Sequence, residues 1–249
     1  MGHIVCSTSG GVLEIRLNRP DKKNAITDAM YGDMIGAMKG ALDDDGVRAV
    51  LFTAAGDFFC SGNDLADFLA VSTQGGGDEL KAWQFIRLLA DYPKPIVAAV
   101  TGAGVGIGTT LLLHCDLAYV HKEARLTTPF VNLALVPEAA SSLLLTQKIG
   151  HAKAFEMFVL GEAMTGEMAV DCGLANACFD EVDEVVQTAR QKAQQIATKS
   201  AQAVRYTKSL MRDSAKIISQ MTAEKDCFAK CLASDDARMI FEKFLNKSK

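Results

Sequence analysis

Glu138 stands in the run Leu135-Val136-Pro137-Glu138-Ala139-Ala140-Ser141-Ser142 and is the only acid between Glu123 and Glu156. Two other segments are built to leave backbone N–H groups approachable. They are Phe59-Cys60-Ser61-Gly62-Asn63-Asp64-Leu65 and Val100-Thr101-Gly102-Ala103-Gly104-Val105-Gly106-Ile107-Gly108. One carboxylate with two sets of preorganised donors is equipment for moving a proton beside a carbonyl whose oxygen is gripped.

Each piece alone has a plainer reading. Proline followed by glutamate satisfies the statistics of a helix start and its macrodipole. The glycine run suits close strand–helix packing. Asn63 or Asp64 would serve as a helix cap. Better-known motifs fail. In the dinucleotide pattern GxGxxG, the last glycine is replaced by Ile107, Thr109 or Leu111 depending on register. There is no GK[ST] phosphate loop and no HExxH metal motif. GxSxG around Ser61 is excluded by Phe59. None of the four histidines has a sequence-adjacent Ser or Cys that suggests a triad, and none is given a role.

The elements that must position these groups follow from pattern. Two alternating runs, His3 to Thr8 and Val12 to Asn18, predict a hairpin about Ser9-Gly10-Gly11. Thr27 caps a helix to about Leu42, and Val47 to Thr53 predicts a buried strand. A short helix is expected from Asn63 or Asp64, and the glycine-rich stretch 71–78 is expected to help shape a pocket. A helix over 79–90, a strand over 96–100, a helix over 106–114 and a strand over 116–120 come next. Further helices are expected after Pro137 and from His151, Gly166 and Val182, and helices alone from about 201. Strand–helix alternation followed by helices alone implies an α/β core with a helical appendage.

Composition narrows the function class. Hydrophobic residues make up 49% of the 249, enough for a sizeable core, and the formal net charge is −4. That balance argues against nucleic acid as a partner. The seven cysteines are odd in number and lack CxxC spacing, so reduced thiols are expected rather than a disulfide framework or a zinc site. The uncharged segment 95–115 approaches membrane-span length, but its four glycines and a proline predict strand, turn and helix, with no membrane partner. Met1 to Cys6 carries no signal-peptide pattern, and the final Lys249 is not followed by the leucine of a peroxisomal tripeptide. A cytoplasmic location is the expectation.

Taken together, Arg19-Pro20-Asp21-Lys22-Lys23-Asn24-Ala25-Ile26, the 59–65 segment, Ala99-Val100-Thr101-Gly102, Gly106-Ile107-Gly108, Cys115-Asp116 and the helix after Pro137 resemble the crotonase (enoyl-CoA hydratase/isomerase) superfamily. The resemblance implies a crotonase-like spiral of ββα units over 1–195. It also implies an all-helical region over 196–249 that helps build a homotrimer, or a hexamer of paired trimers. The substrate would be an acyl-CoA thioester, with no cofactor beyond that coenzyme A. Ser61 and Ile107 would supply the oxyanion-hole N–H groups. Lys22, Lys23, Ala25, Cys60, Gly62, Asn63, Asp64 and Leu65 would line the CoA site. Lys243, Lys247 and Lys249 are candidates for its 3′-phosphate.

Hydratases of this superfamily use two glutamates, which would fall at Thr110 and Phe130 here. Glu138 instead lies where Δ3,Δ2-enoyl-CoA isomerases of the peroxisomal type carry a single acid. Ser61 to Leu65, Thr128-Pro129-Phe130, Pro137-Glu138 and Ser141-Ser142 resemble that group too. The resemblance therefore implies an isomerase with Glu138 as its catalytic acid and base. The alternatives are a hydratase or lyase of the same superfamily, or a non-catalytic acyl-CoA binder.

Overall fold

The computed structural model describes residues 2–67, Leu69 and 80–247; the 71–78 stretch expected to shape a pocket lies outside them. β1 (Ile4–Ser9) and β2 (Val12–Leu17) form the expected antiparallel hairpin. β3 (Ala49–Ala54), β5 (Ile96–Val100) and β7 (Leu117–His121) then add to β2 in parallel. β10 (Ala177–Phe179) completes the sheet in the order β1-β2-β3-β5-β7-β10. The strand after each of β3, β5 and β7 leaves for a second sheet. β4 (Phe58–Cys60), β6 (Ala103–Val105) and β8 (Arg125–Thr127) pair in parallel there, and β9 (Met164–Thr165) closes it antiparallel to β8. Each ββα unit thus places one strand in each sheet, and the chain winds as the crotonase-like spiral.

β3 and β5 are buried along nearly their whole length because both faces of the large sheet are covered, so they read as unbroken apolar runs. Leu13, Ile15, Val50, Phe52 and Ala98 belong to one core, which takes Met30, Met34 and Met38 from the helix Asp28–Asp43. Thr27 caps that helix as expected, its hydroxyl accepting the Met30 N–H. The opposite face, with Val12, Leu51, Val97 and Ala99, receives Val185, Ala189 and Ala193 from the helix Val182–Ala197. Their spacing is one helical stripe. The boundary expected after 195 falls inside this helix.

From 201 onward only helices occur: Ala201–Met211, Ser214–Leu232 and Asp235–Lys247. The first buries no side chain, and its Tyr206, Leu210 and Met211 are exposed. The second turns Ile217, Met221, Glu224 and Phe228 inward, so a carboxylate occupies a position of its apolar stripe. Among the described residues no helix is long and apolar enough to cross a membrane.

Candidate active site

One wall of the site is backbone. Pro20–Lys22 makes a 3-10 turn, and Lys23 and Asn24 follow with φ of 52° and 55°. Asn24 is fully buried and fixes this bend. Its amide donates to the carbonyls of Ala55 (2.8 Å) and Phe58 (2.7 Å), and its Oδ1 accepts the Arg19 N–H at 2.8 Å. The Arg19 guanidinium donates to the Ala25 carbonyl (3.0 Å) and to Asp64 (2.8 Å). Burial would raise the Asp64 pKa, but the Arg19 bond and nearby N–H groups outweigh it and hold the carboxyl below its usual range.

Ile26 meets Asn63 in an isolated parallel bridge. Ile26 donates to the Gly62 carbonyl, and Asp64 donates to the Ile26 carbonyl, both at 2.9 Å. In such a bridge the central residue opposite turns its own N–H away. The Asn63 N–H is therefore directed away from Ile26 and meets no acceptor among the described residues, while its side chain accepts from the Tyr31 hydroxyl at 2.6 Å. The Ser61 N–H, expected to be the free donor, instead donates to the Lys23 carbonyl at 3.0 Å. Of the two, it is the Asn63 N–H, not that of Ser61, that meets no acceptor among the described residues.

The second donor segment depends on glycine in two ways. Gly106 adopts φ 56°, ψ −118°, which side-chain-bearing residues avoid. Ile107 is then the first residue of the helix Ile107–Thr110, with no earlier turn to accept its N–H. Gly108 packs against the Cys60 carbonyl, where a Cβ would lie 2.5 Å from the oxygen. The plain reading of the glycine run, close packing, thus describes Gly108, and the turn at Gly106 presents Ile107.

The other wall carries the acid. The helix after Pro137 begins only at Ser141, so proline is not its first residue and Glu138 sits in the loop ahead of it. Ala139 and Ala140 have φ of 59° and 54°. Left-handed alanines cost roughly 1–2 kcal/mol each, so something must hold this loop. His114, fully buried, contacts the Ala139 carbonyl through Nε2 at 2.8 Å and the Arg212 guanidinium through Nδ1. Arginine only donates, so Nδ1 accepts and Nε2 carries the proton given to Ala139. Burial and then Arg212 push the His114 pKa down to about 3, which keeps the ring neutral. From the other side Glu224, 5% exposed, accepts the N–H groups of Ala140 (2.6 Å) and Ser142 (3.0 Å) and the Ser142 hydroxyl.

Glu138 receives the Thr110 hydroxyl on Oε1 at 2.6 Å. Part of its surface opens to a cleft, and protein crowds the carboxyl elsewhere. Burial pushes its pKa up to about 7, the Thr110 bond pulls it back, and the Glu224 charge adds to the rise. Burial also lifts Glu224 to about 7 against the bonds from Ser142 and Ala140.

Both walls face one cleft of about 810 Å³. Glu138, Ser61, Ile107, Lys22, Lys23, Ala25, Gly62, Asn63, Asp64 and Leu65 all line it. Cys60 does not. It is buried beneath, its sulfur near the Gly62 N–H, and burial lifts its thiol to about 12. Lys243 is exposed and not part of the lining, and the side chains of 247 and 249 lie outside the described residues. Phe130, Leu133, Phe228 and Phe241 give the cleft an apolar stretch, while Arg19, Lys22 and Lys23 give it cations. Among the described residues its acids are Asp64, spent on Arg19, and Glu138. An acid titrating near neutrality, with the Asn63 and Ile107 N–H groups on the same cleft, can take up and return a proton beside a polarised carbonyl.

Sequence reasoning missed His114, Arg212 and Glu224. Glu224 had a signal in its core phase on an amphipathic helix; His114 had none.

The family described as enoyl-CoA hydratase/isomerase matches residues 7–249. Enoyl-CoA delta isomerase 2 of Rattus norvegicus is 43% identical over 184 residues, covering 72% of this chain and 46% of its own. The chain spans about half the length of the curated relatives it matches. Among solved structures, Pseudomonas aeruginosa OdaA aligns with a TM-score of 0.93 and 41% identity, over 98% of this chain and 99% of that one. An enoyl-CoA hydratase/isomerase from Pseudoalteromonas atlantica T6c aligns with a TM-score of 0.92 and 35% identity, over 99% and 98%.

Proposed function

Because the chain belongs to the enoyl-CoA hydratase/isomerase family, we propose that it is a Δ3,Δ2-enoyl-CoA isomerase with Glu138 as its single acid–base residue. The observation that carries this reading is a cleft carboxyl with no ion-pair partner among the described residues, lifted to about pH 7 and on the same cleft as the Asn63 and Ile107 N–H groups. The thioester oxygen accepts from Asn63 and Ile107. Glu138 removes a proton from C2 of the 3-enoyl chain, and the negative charge spreads into a dienolate held by those donors, each worth about 2.7–4 kcal/mol in the transition state. The protonated carboxyl then delivers the proton to C4, leaving the double bond between C2 and C3. Proton and charge balance, and no cofactor takes part beyond the coenzyme A that arrives with the substrate.

The cations Arg19, Lys22 and Lys23 suit the phosphates of that coenzyme, and the phenylalanines suit its acyl chain. Water addition with two acids is less well supported, because Thr110 and Phe130 occupy the positions where a hydratase's two carboxyls would be sought. The exposed Tyr206, Leu210 and Met211 suit packing between copies in a trimer or hexamer. The test is Glu138→Gln, assayed on 3-enoyl-CoA esters of several lengths beside crotonyl-CoA. A folded variant should bind the thioester and lose roughly three or more orders of magnitude in isomerisation. Near-normal turnover, or rapid hydration of crotonyl-CoA by the unaltered protein, would overturn the assignment.

A further inference from the structure

Glu224 is not on the cleft surface, yet it is the most heavily engaged buried acid described. It reaches the acid-bearing loop from 84 residues away and takes three donors at once: the Ala140 N–H on Oε2, and the Ser142 N–H and hydroxyl on Oε1. Ser142 Oγ in turn accepts from Gln220 Nε2 at 2.9 Å, so the hydrogen bonds run in one direction, from Gln220 to Ser142 to Glu224. Every group pointing at this carboxyl is a donor. That arrangement fits an acceptor-only carboxylate and no other side chain of its size. Glutamine has one acceptor oxygen, and its NH2 would oppose a backbone N–H.

We propose that Glu224 is a positioning residue for Glu138, fastening the 139–142 turn to the helix Ser214–Leu232 and setting a second, coupled carboxyl behind the acid. The proposal rests on the isomerase reading for its kinetic consequence alone. Two physical effects follow. The left-handed Ala139 and Ala140 are held in place, which fixes where the Glu138 carboxyl stands. The neighbouring charge also disfavours the Glu138 carboxylate and adds to the effect of burial. The other groups that could set this balance are Tyr31 from the helix Asp28–Asp43, Cys60 from β4 and His114 behind Ala139. The first two are neutral at working pH, their protons held more tightly by burial, and His114 is neutral because burial lowers it. Glu224 is thus the one group among them that titrates over the same range as Glu138, and its three donors favour its carboxylate form.

The experiment compares unaltered protein with Glu224→Gln and Glu224→Asp. In Glu224→Gln, kcat should fall roughly ten- to a hundredfold with KM changed little, because a displaced acid affects the proton transfer more than binding. The acidic limb of the pH–rate profile should move to lower pH by about one unit, since losing the neighbouring charge favours the Glu138 carboxylate. Glu224→Asp keeps the charge, so it should lose rate without moving the limb. It also serves as the probe if Glu224→Gln does not fold. An infrared titration of protonated carboxyl groups without substrate reads the same coupling: removing either acid should lower the midpoint of the other. A limb and a carboxyl midpoint that stay fixed in Glu224→Gln would overturn the proposal. If the unaltered protein isomerises no 3-enoyl thioester, the functional reading falls, and the infrared titration still decides whether Glu224 and Glu138 are coupled.

Discussion

The wall that presents Asn63 and Ile107 is held mainly by backbone pairing, braced by the Asn24 and Arg19 side chains, whereas the wall that presents Glu138 is held by side chains from distant elements. On the first, carbonyls of Lys23, Ile26 and Gly62 meet N–H groups of Ser61, Asp64 and Ile26 directly, and glycines let the segments touch. On the second, two alanines sit in an unfavourable conformation, held by His114 from 25 residues away and Glu224 from 84. Donors that must grip a developing charge gain from a rigid backbone, which cannot reorganise during the reaction. On the proposed isomerase reading, an acid that serves two carbons gains from a seat whose position and charge are set by replaceable side chains.

The largest break in this contrast comes from exchanging glycine and alanine between the walls. A Cβ on Gly102 would lie 1.9 Å from the Asp57 carbonyl oxygen, inside the junction of β5, β6 and β4. Backbone cannot rotate aside, so Gly102→Ala should cost about 3 kcal/mol or more and lower the melting temperature by roughly 10 °C. Ala140→Gly, which relieves a positive φ, should leave the melting temperature unchanged or slightly raised. Calorimetry on the two variants checks both signs. Equal destabilisation would mean that the walls do not differ in the way described.

Next in size is a test of which N–H grips the carbonyl. An amide-to-ester replacement removing the Asn63 N–H should reduce kcat by about 10²–10³. The same replacement at Ser61 removes only the bond to Lys23 and should cost about 1 kcal/mol of stability, with the rate nearly preserved. The reverse pattern would return the donor role to Ser61.

The same contrast explains what could be read from the chain. The donor wall was legible because its determinants are local: Gly62 and the alternating glycines announce exposed backbone within a few residues. Even there the choice between Ser61 and Asn63 was out of reach, since it depends on the register of a single bridge to Ile26. The large sheet was legible in its long apolar strands. The small sheet was not, because β4, β6 and β8 are three residues each and show no period. Glu138 was found, but its seat was misread. Pro137 looks like a helix start, and the loop that displaces the helix to Ser141 is imposed by His114 and Glu224, which no local pattern links to it.

The smallest and sharpest effect concerns Thr110, whose hydroxyl is the one donor among the described residues that bonds the Glu138 carboxyl. Thr110→Val keeps the shape and deletes the donor. A hydrogen bond favours the charged form, so its loss should raise the Glu138 pKa further above about 7, by about one unit. The base must be deprotonated to act, so the acidic limb of kcat/KM should move to higher pH, opposite to the shift in Glu224→Gln. Stability has the same sign. A carboxyl whose folded pKa lies above its unfolded value binds the proton more tightly when folded. The stability it contributes at low pH is lost as pH rises from about 4.5 through about 7, and Thr110→Val should extend that loss to higher pH. Melting temperatures and pH–rate profiles recorded on the same samples check both. A limb that moves to lower pH, or not at all, would mean that the Thr110 hydroxyl does not donate to the working form of the acid.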